Sequence, residues 1–411
     1  MYYNGEYHMF YQHNPCESKW NNMHWNHAVS SDMIRWTELG TALEPDKYGE
    51  IFSGNAIIDR DNILGFKDGK DDPILLYYTG TSPLAQYLAY STDGLKTIHK
   101  YGEPVVPKIL DTSTDPQVIF CEEWNTYIMS LYLEKDMFGI FRSDDLLNWK
   151  KVQEIQITGD KECPDLFPMT ASDGKRKWVL IGARNRYIVG DMTNEGFVPS
   201  QETFSFSHSS SAYAGHTFAE LPGGRRVRID WDQWHGMFFL FPICGQMSVP
   251  YDLTLEKHGD FYYLCGDPIP EFESLYDGTV SHENIEVKPN RCFTTPLEPK
   301  PYLLKLSCDA TDAEVDISIF GTNLHFDMKE NLLTYGGGRT APISYVSGKI
   351  DLTLIIDTFS TELFLDGGKI YSALVDREAS PNYSFTKLDI YTDKDITVDK
   401  LELHPLKSMW E

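Results

Sequence analysis

The chain has few positive charges for its length. Its 411 residues include 36 lysines and arginines against 61 aspartates and glutamates, a formal net charge of −25. Nucleic acids and anionic membrane surfaces attract proteins through basic patches. The two small basic clusters, residues 175–177 and 225–228, fit the solvated edges of strands or turns. We therefore predict neither a nucleic-acid partner nor a membrane partner.

Cysteine motifs and long apolar runs are also lacking. The seven cysteines are odd in number and contain no C-x-x-C spacing, which supports neither a zinc ribbon nor a disulfide framework. No apolar run is long enough to span a bilayer, and no signal peptide follows Met1. Reduced thiols favour a cytoplasmic location, and secretion stays open because the start looks truncated. No feature indicates the oligomeric state.

Metal and nucleotide motifs are missing as well. Four histidines near the start lie on alternating strand positions without Cys or Glu at ligand spacing: His8, His13, His24 and His27. No phosphate-binding loop appears. We predict no metal and no other cofactor.

Helical periodicity is almost absent, and short β-rich runs between turn signals dominate. In residues 314–320, for example, Val315, Ile317 and Ile319 alternate with polar residues, which indicates a strand with one buried face. The sequence therefore predicts an all-β protein.

A repeated Ser-Asp motif indicates how this β-structure is organised. It occurs at residues 30–36, 91–97 and 143–149, with a weaker echo at 191–193. The spacing of ~45–60 residues is that of propeller blades, and the motif fits a turn that satisfies its own backbone. We predict a five-bladed β-propeller over residues 1–266. Residues 277–411 lack the repeat and predict a β-sandwich.

The first strand looks short. Asn4-Gly5 is a strong hairpin signal, yet only three residues precede it while a full strand follows at residues 6–12. We expect that sequence once preceded Met1.

Residues 162–168, Glu-Cys-Pro-Asp-Leu-Phe-Pro, concentrate carboxylates, a thiol and rigid apolar neighbours. Such surroundings can make a carboxylic acid a proton donor, and glycoside hydrolysis requires one acid plus a second carboxylate. Glu162 could instead be a buried acid bonded to backbone. Asp115, before Pro116, could be a turn residue.

With this stretch, several segments together resemble glycoside hydrolase family 32, the invertase, sucrose-6-phosphate hydrolase and levanase group. They span nearly the whole chain: residues 5–15, 23–30, 52–56, 162–168 and 356–364. The resemblance implies a five-bladed propeller followed by a sandwich. It also implies retaining hydrolysis of β-fructosides, with a fructose-containing saccharide as the partner.

The resemblance implies a role for individual residues. Glu162 is similar to the general acid/base, and Asp115 to the stabiliser of the transition state. Four residues match positions lining the fructose pocket: Gln12, Trp20, Phe52 and Ser53. For Trp20 and Trp25, packing in the core is the alternative, and Trp20 lies in the more polar stretch.

Two positions depart from the family. The family's nucleophile is an Asp in an Asn-Asp-Pro-Asn-Gly motif, which would fall before residue 2. Thr114 stands where the family has an Arg that binds the sugar. We therefore expect this chain to be inactive or severely impaired as a β-fructofuranosidase. The alternative is a non-catalytic pseudoenzyme that binds fructosides or other glycans.

Overall fold

The computed structural model describes residues 1–209, 211–233, 245–345, 348–375 and 381–410. Within these ranges it contains 34 strands and two short 3-10 helices, Pro222–Gly224 and Pro270–Leu275. The prediction of an all-β protein is confirmed. No helix in the described ranges is long and apolar enough to cross a bilayer.

The described residues form two compact units. The first holds residues 1–204 and 214–228, and the second holds 205–209, 211–213, 229–233 and the described residues from 245 onward. The predicted domain bounds, 1–266 and 277–411, stay a prediction.

Four antiparallel sheets follow one another in the first unit, and neighbouring strands in each are consecutive in sequence. The first sheet contains β1 (Tyr2–Tyr3), β2 (Glu6–His13), β3 (His24–Ser30) and β4 (Thr37–Leu43). The second contains β5 (Ile51–Ile58), β6 (Ile74–Thr81), β7 (Leu84–Ser91) and β8 (His99–Val106). The third contains β9 (Thr114–Cys121), β10 (Thr126–Glu134), β11 (Met137–Ser143) and β12 (Lys150–Gln156). The fourth contains β13 (Asp165–Thr170), β14 (Arg176–Ile181), β15 (Arg186–Thr193), β16 (Gly196–Pro199) and β17 (Phe204–Ser205).

A fifth sheet has the order β18-β19-β21-β22, with β20 paired to β19. Its strands are β18 (Ala212–Thr217), β19 (Val227–Asp232), β20 (Gln246–Met247), β21 (Tyr251–His258) and β22 (Phe261–Pro268).

The repeated Ser-Asp motif forms a turn between the third and fourth strands of a sheet. In the first copy, Ser30 donates to the carboxylate of Asp32 at 3.0 Å, and the same oxygen accepts the backbone N–H of Ile34 and Arg35. Asp93 and Asp145 form equivalent turns before β8 and β12. The interpretation of the motif as structural is confirmed for these three copies.

Both faces of the second sheet are buried. Successive side chains along a strand point to opposite faces, and each face packs against a different neighbouring sheet. On β6, Leu76 and Tyr78 pack in one core with residues of the first sheet. Leu75 and Tyr77 pack in another core with residues of the third sheet. The third and fourth sheets share a further core. The sheets are therefore stacked face to face.

Side-chain amides tie the first strand of one sheet to the first strand of the next. Asn55 on β5 both donates to and accepts from the backbone of Val118 on β9, at 2.8 Å each. Gln117 on β9 bonds the carbonyl and N–H of Leu166 on β13, at 3.3 and 3.4 Å. These bonds fix how the strands that hold the candidate site lie side by side.

Two six-stranded sheets in the second unit share one apolar core. One has the order β23-β34-β25-β30-β31-β32, and the other β24-β33-β26-β27-β28-β29. The strands of the former are β23 (Val280–Val287), β25 (Tyr302–Asp309), β30 (Ile350–Ile356), β31 (Thr361–Leu365), β32 (Ile370–Leu374) and β34 (Ile396–Pro405). Those of the latter are β24 (Phe293–Pro296), β26 (Glu314–Ile319), β27 (Thr322–Asp327), β28 (Leu332–Tyr335), β29 (Arg339–Pro342) and β33 (Lys387–Thr392).

Candidate active site

Asp115 lies buried at the start of β9, with a positive φ of 65°. Its backbone N–H donates to the Thr79 hydroxyl at 2.8 Å. One carboxylate oxygen, Oδ2, accepts the Cys163 backbone N–H and the Thr114 hydroxyl, both at 3.0 Å. Asp115 therefore joins β9 to the segment that precedes β13, which a solvated turn residue would not do.

The surroundings of Asp115 favour its protonated form more than water does. Burial raises the pKa of this carboxyl to about 6, and the charge of Glu162 adds to the rise. The bonds from Cys163 and Thr114 act in the opposite direction. The Asp115 carboxyl is thus mostly ionised only above about pH 6.

Glu162 directly precedes Cys163 and reaches solvent. Its side chain is 35% exposed, and its Oε1 lies 3.1 Å from the Lys161 ammonium. The alternative that Glu162 is a buried acid is therefore wrong for its side chain. Glu162 and Asp115 are near enough to interact electrostatically.

The four predicted pocket residues form one cluster. The Trp20 indole donates to the Gln12 amide oxygen at 3.2 Å, and its ring lies 5.4 Å from that of Phe52. The Gln12 amide in turn donates to the Ser53 hydroxyl at 3.4 Å. Trp20 is 51% exposed, whereas Trp25 is buried in the core. The exposure of Trp20 is consistent with the preference for Trp20 over Trp25 as the residue at the rim of a pocket, and that role stays a prediction.

Cys163 connects the pocket cluster to the carboxyl pair. Its buried thiol hydrogen-bonds the Ser53 side chain and lies 3.5 Å from Asp115 Oδ2. Burial and the nearby Asp115 charge raise the pKa of the thiol well above its usual value. The thiol therefore stays protonated and can donate. All seven predicted site residues thus belong to one connected group.

The sequence analysis missed the residues behind this group. Thr79 accepts the Asp115 N–H and donates to Gln86 at 2.6 Å, and neither residue lies in a segment that resembles the family. Cys163 lies within residues 162–168, but the sequence alone predicts no role for its thiol. The contacts of all three residues depend on how neighbouring sheets pack, which no local sequence pattern reveals. Across the described ranges, no three or more His, Cys, Asp or Glu are placed to hold a metal ion.

The arrangement suits acid–base chemistry on a polar ligand. A partly exposed carboxyl can exchange protons with a bound group, and a buried carboxylate beside it can accept hydrogen bonds from hydroxyls. The exposed indole of Trp20, linked to Asp115 through Gln12, Ser53 and Cys163, offers a flat apolar surface of the kind on which sugar rings stack.

Solved structures share this all-β fold. An exo-inulinase from Aspergillus awamori superposes with a TM-score of 0.86 at 21% identity, covering 100% of this chain and 95% of that one. A β-fructofuranosidase from Schwanniomyces occidentalis, solved with fructosyl-erythritol, gives a TM-score of 0.82 at 21% identity over 98% and 93% of the chains. These likenesses show that the chain shares its fold with both proteins.

Sequence relatives agree. A levanase of Bacillus subtilis is 29% identical over 472 aligned positions, covering 100% of this chain and 68% of its own length. A levanbiose-producing levanase of Geobacillus stearothermophilus is 32% identical, covering 70% of this chain and 78% of its own. Residues 1–264 match the glycosyl hydrolases family 32 N-terminal domain. The chain belongs to glycoside hydrolase family 32, as the motifs indicated.

Proposed function

We propose that the protein is a β-fructofuranosidase-type hydrolase whose substrates are sucrose, sucrose phosphate or short fructans. The observation that carries the proposal is the contact path from Trp20 through Gln12, Ser53 and Cys163 to Asp115, beside the partly exposed Glu162. Relatives named levanase and exo-inulinase support the substrate class.

Each carboxyl has a distinct role in this proposal. Glu162 donates a proton to the leaving oxygen and later takes one from water, as a general acid/base. Asp115 accepts hydrogen bonds from fructose hydroxyls that strengthen in the transition state. Because an ionised carboxylate is the stronger acceptor, we expect sugar binding to weaken below about pH 6, the pKa of Asp115.

A retaining mechanism also needs a nucleophile ~5–5.5 Å from the acid. The 411 residues contain no Asn-Asp-Pro-Asn-Gly sequence. Removal of a nucleophile costs on the order of 10⁴–10⁶ in rate in other hydrolases. We therefore propose that these residues alone hydrolyse fructosides very slowly. A version that carries the family's nucleophile segment before residue 2 should turn over.

We also propose the finer architecture, a five-bladed propeller over residues 1–266 and a β-sandwich over 277–411. Five sheets with mostly consecutive strands support the former. A single core shared by two six-stranded sheets supports the latter.

A second candidate is a protein that binds fructosides or other glycans without cleaving them. Thr114 favours it. A Thr hydroxyl, here bonded to Asp115 at 3.0 Å, cannot supply the paired charged bonds of the Arg that family members have.

The deciding experiment compares hydrolysis of sucrose, levan and inulin by four proteins. They are the 411-residue chain, its nucleophile-extended version, and the Glu162→Gln variant of each. We expect turnover only in the extended protein, with a loss of roughly 10²–10⁴ in its Glu162→Gln variant. Equal rates with and without Glu162 would contradict its role as the acid. Calorimetric binding of fructose oligomers without turnover in any of the four would support the binding protein.

A further inference from the structure

The segment that holds Glu162 has an unusual backbone. Residues 157–164 connect β12 to β13, and Glu162 and Cys163 have consecutive positive φ values of 53° and 41°. Left-handed conformations are costly for residues with a Cβ, so neighbouring structure has to hold them in place. The Cys163 N–H bond to Asp115 holds one side of this segment.

Asp160 holds the other side. Its carboxylate is buried and accepts three backbone N–H groups, from Lys161 at 2.7 Å, Arg184 at 2.8 Å and Arg186 at 2.7 Å. Arg184 lies in the connection from β14 to β15, and Arg186 is the first residue of β15. One side chain therefore joins the segment that precedes Glu162 to a neighbouring connection of the fourth sheet.

The backbone of Glu162 is bound to the same connection. The Ala183 N–H lies 3.1 Å from both the Lys161 and Glu162 carbonyl oxygens. A Cβ added to Gly182 would lie 2.6 Å from the Asp160 carboxyl, so this connection approaches Asp160 as closely as a glycine permits. The Glu162 carbonyl is therefore bound by the connection between β14 and β15, the same connection that donates the Arg184 N–H to Asp160.

The charges around Asp160 are consistent with an ionised carboxylate at neutral pH. Burial raises the pKa of Asp160 to about 6, while the three N–H bonds and the charge of buried Arg228 oppose the rise. An ionised carboxylate can accept all three bonds at once.

We propose that Asp160 is a positioning residue for the general acid/base. Its carboxylate fixes the left-handed backbone from which the Glu162 side chain projects. This inference rests on the proposed function of Glu162. Asp160 bonds backbone N–H groups, and it acts through the geometry of residues 161–163.

The test compares Asp160→Ala and Asp160→Asn in the nucleophile-extended protein. An amide oxygen can keep the bonds of Lys161 and Arg184 but not the bond that Oδ2 accepts from Arg186. Misplacement of a reacting group by about 1 Å can cost ~10²-fold in rate. We expect kcat to fall ~10–100-fold in the Ala variant and less in the Asn variant, with KM changed less than about threefold.

Asp59→Ala is the matched control. Asp59 is also fully buried and caps backbone N–H groups, those of Ile63 and Leu64, at 2.8 and 3.0 Å, but it follows β5 in the second sheet. It should lose stability to a similar degree and keep its kcat. If both variants lose kcat in proportion to their loss of stability, or if Asp160→Ala keeps its kcat, the proposal is overturned.

The proposed function can fail separately. If the unsubstituted protein shows no hydrolysis above its Glu162→Gln variant, the crystal structures of Asp160→Asn and Asp160→Ala decide. Departure of Glu162 from positive φ supports the positioning role. A Glu162 backbone that is unchanged in both variants overturns it.

Discussion

Two groups of buried acidic residues, one in each compact unit, have different surroundings. In the first unit, Asp160 and Asp115 accept hydrogen bonds from backbone N–H groups of other segments. In the second unit, the buried carboxyls of Asp230, Asp232 and Glu362 interact with one another, and their hydrogen-bond donors include tyrosines. The backbone donors of the first pair fix the path of the chain, whereas the surroundings of Asp232 and Glu362 favour their protonated forms.

The two groups differ in whether backbone N–H donors or other carboxyls surround each carboxyl. Backbone N–H groups stabilise the ionised form, so each bond opposes the effect of burial. Burial is the main cause that raises the pKa of Glu362, and the charge of Asp230 adds to it, although the Val249 N–H and the Tyr371 hydroxyl act against the rise. Burial and the charges of Glu362 and Asp230 raise the pKa of Asp232 well above its usual range. At neutral pH Asp232 and Glu362 therefore hold protons that the same residues would release in the unfolded chain.

Arg228→Met should give the largest effect, because it removes a buried cation that interacts with Asp160 and Asp165. The Arg228 Nη2 donates to the Asn185 side chain at 2.8 Å, and its Nη1 lies 3.7 Å from the fully buried Asp165. Loss of one partner of a buried pair destabilises by about 3–5 kcal/mol. Urea unfolding at pH 7 measures the change.

Arg60→Met is its control. Arg60 forms an ion pair with Glu220 at 2.8 Å, and its side chain is 55% exposed. Such pairs contribute at most about 1 kcal/mol. Equal losses in the two variants would show that burial of the charge is unimportant here.

Glu362→Gln tests whether Glu362 keeps its proton at neutral pH in the folded protein. The pKa of Glu362 is raised to about 8, so the folded protein keeps this proton above the ordinary value of 4.5, where the unfolded chain loses it. Stability should therefore fall as pH rises from about 4.5 to 8, by up to about 1.4 kcal/mol per pH unit for this group.

The Gln variant has no such proton and should lose part of that slope in urea unfolding between pH 5 and 8. Glu314→Gln removes an exposed acid of the same unit and should keep the slope. If the dependence of stability on pH is the same in Glu362→Gln as in the unsubstituted protein, then Glu362 releases its proton as readily in the folded protein as in the unfolded chain.

Gly182→Ala should have a moderate effect, because the added methyl group would lie 2.6 Å from the Asp160 carboxyl. Overpacking of this kind costs about 1–3 kcal/mol. In the Asp160→Ala background the obstruction is gone, so the same substitution should cost less there. A double-mutant cycle of unfolding free energies measures this coupling, and additive effects would argue against contact between the two positions.

The sequence predicted the strands and the Ser-Asp turns from local patterns. Its family motifs also named seven candidate site residues, which the structure brings together and whose roles stay a prediction. It did not predict the role of Asp160, whose donors Arg184 and Arg186 lie 24 and 26 positions away. The carboxyl cluster was missed for the same reason. Asp230 and Glu362 lie on β19 and β31, and only the folded chain brings their charges together.

Lys161→Met should have the smallest effect on stability, because it removes an exposed ion pair and no contact of a buried acid. The Lys161–Glu162 pair has an N–O distance of 3.1 Å, as short as many buried bonds, but its side chains are 36% and 35% exposed. Water stabilises both ions in either state, so we expect the free energy of unfolding to change by less than about 0.5 kcal/mol. The change should shrink further in 1 M salt, where charges are screened within about 3 Å. A loss of unfolding free energy as large as that of Gly182→Ala, and insensitive to salt, would contradict this expectation. It would mean that this exposed ion pair stabilises the protein as much as the hydrogen bonds of the buried acids do.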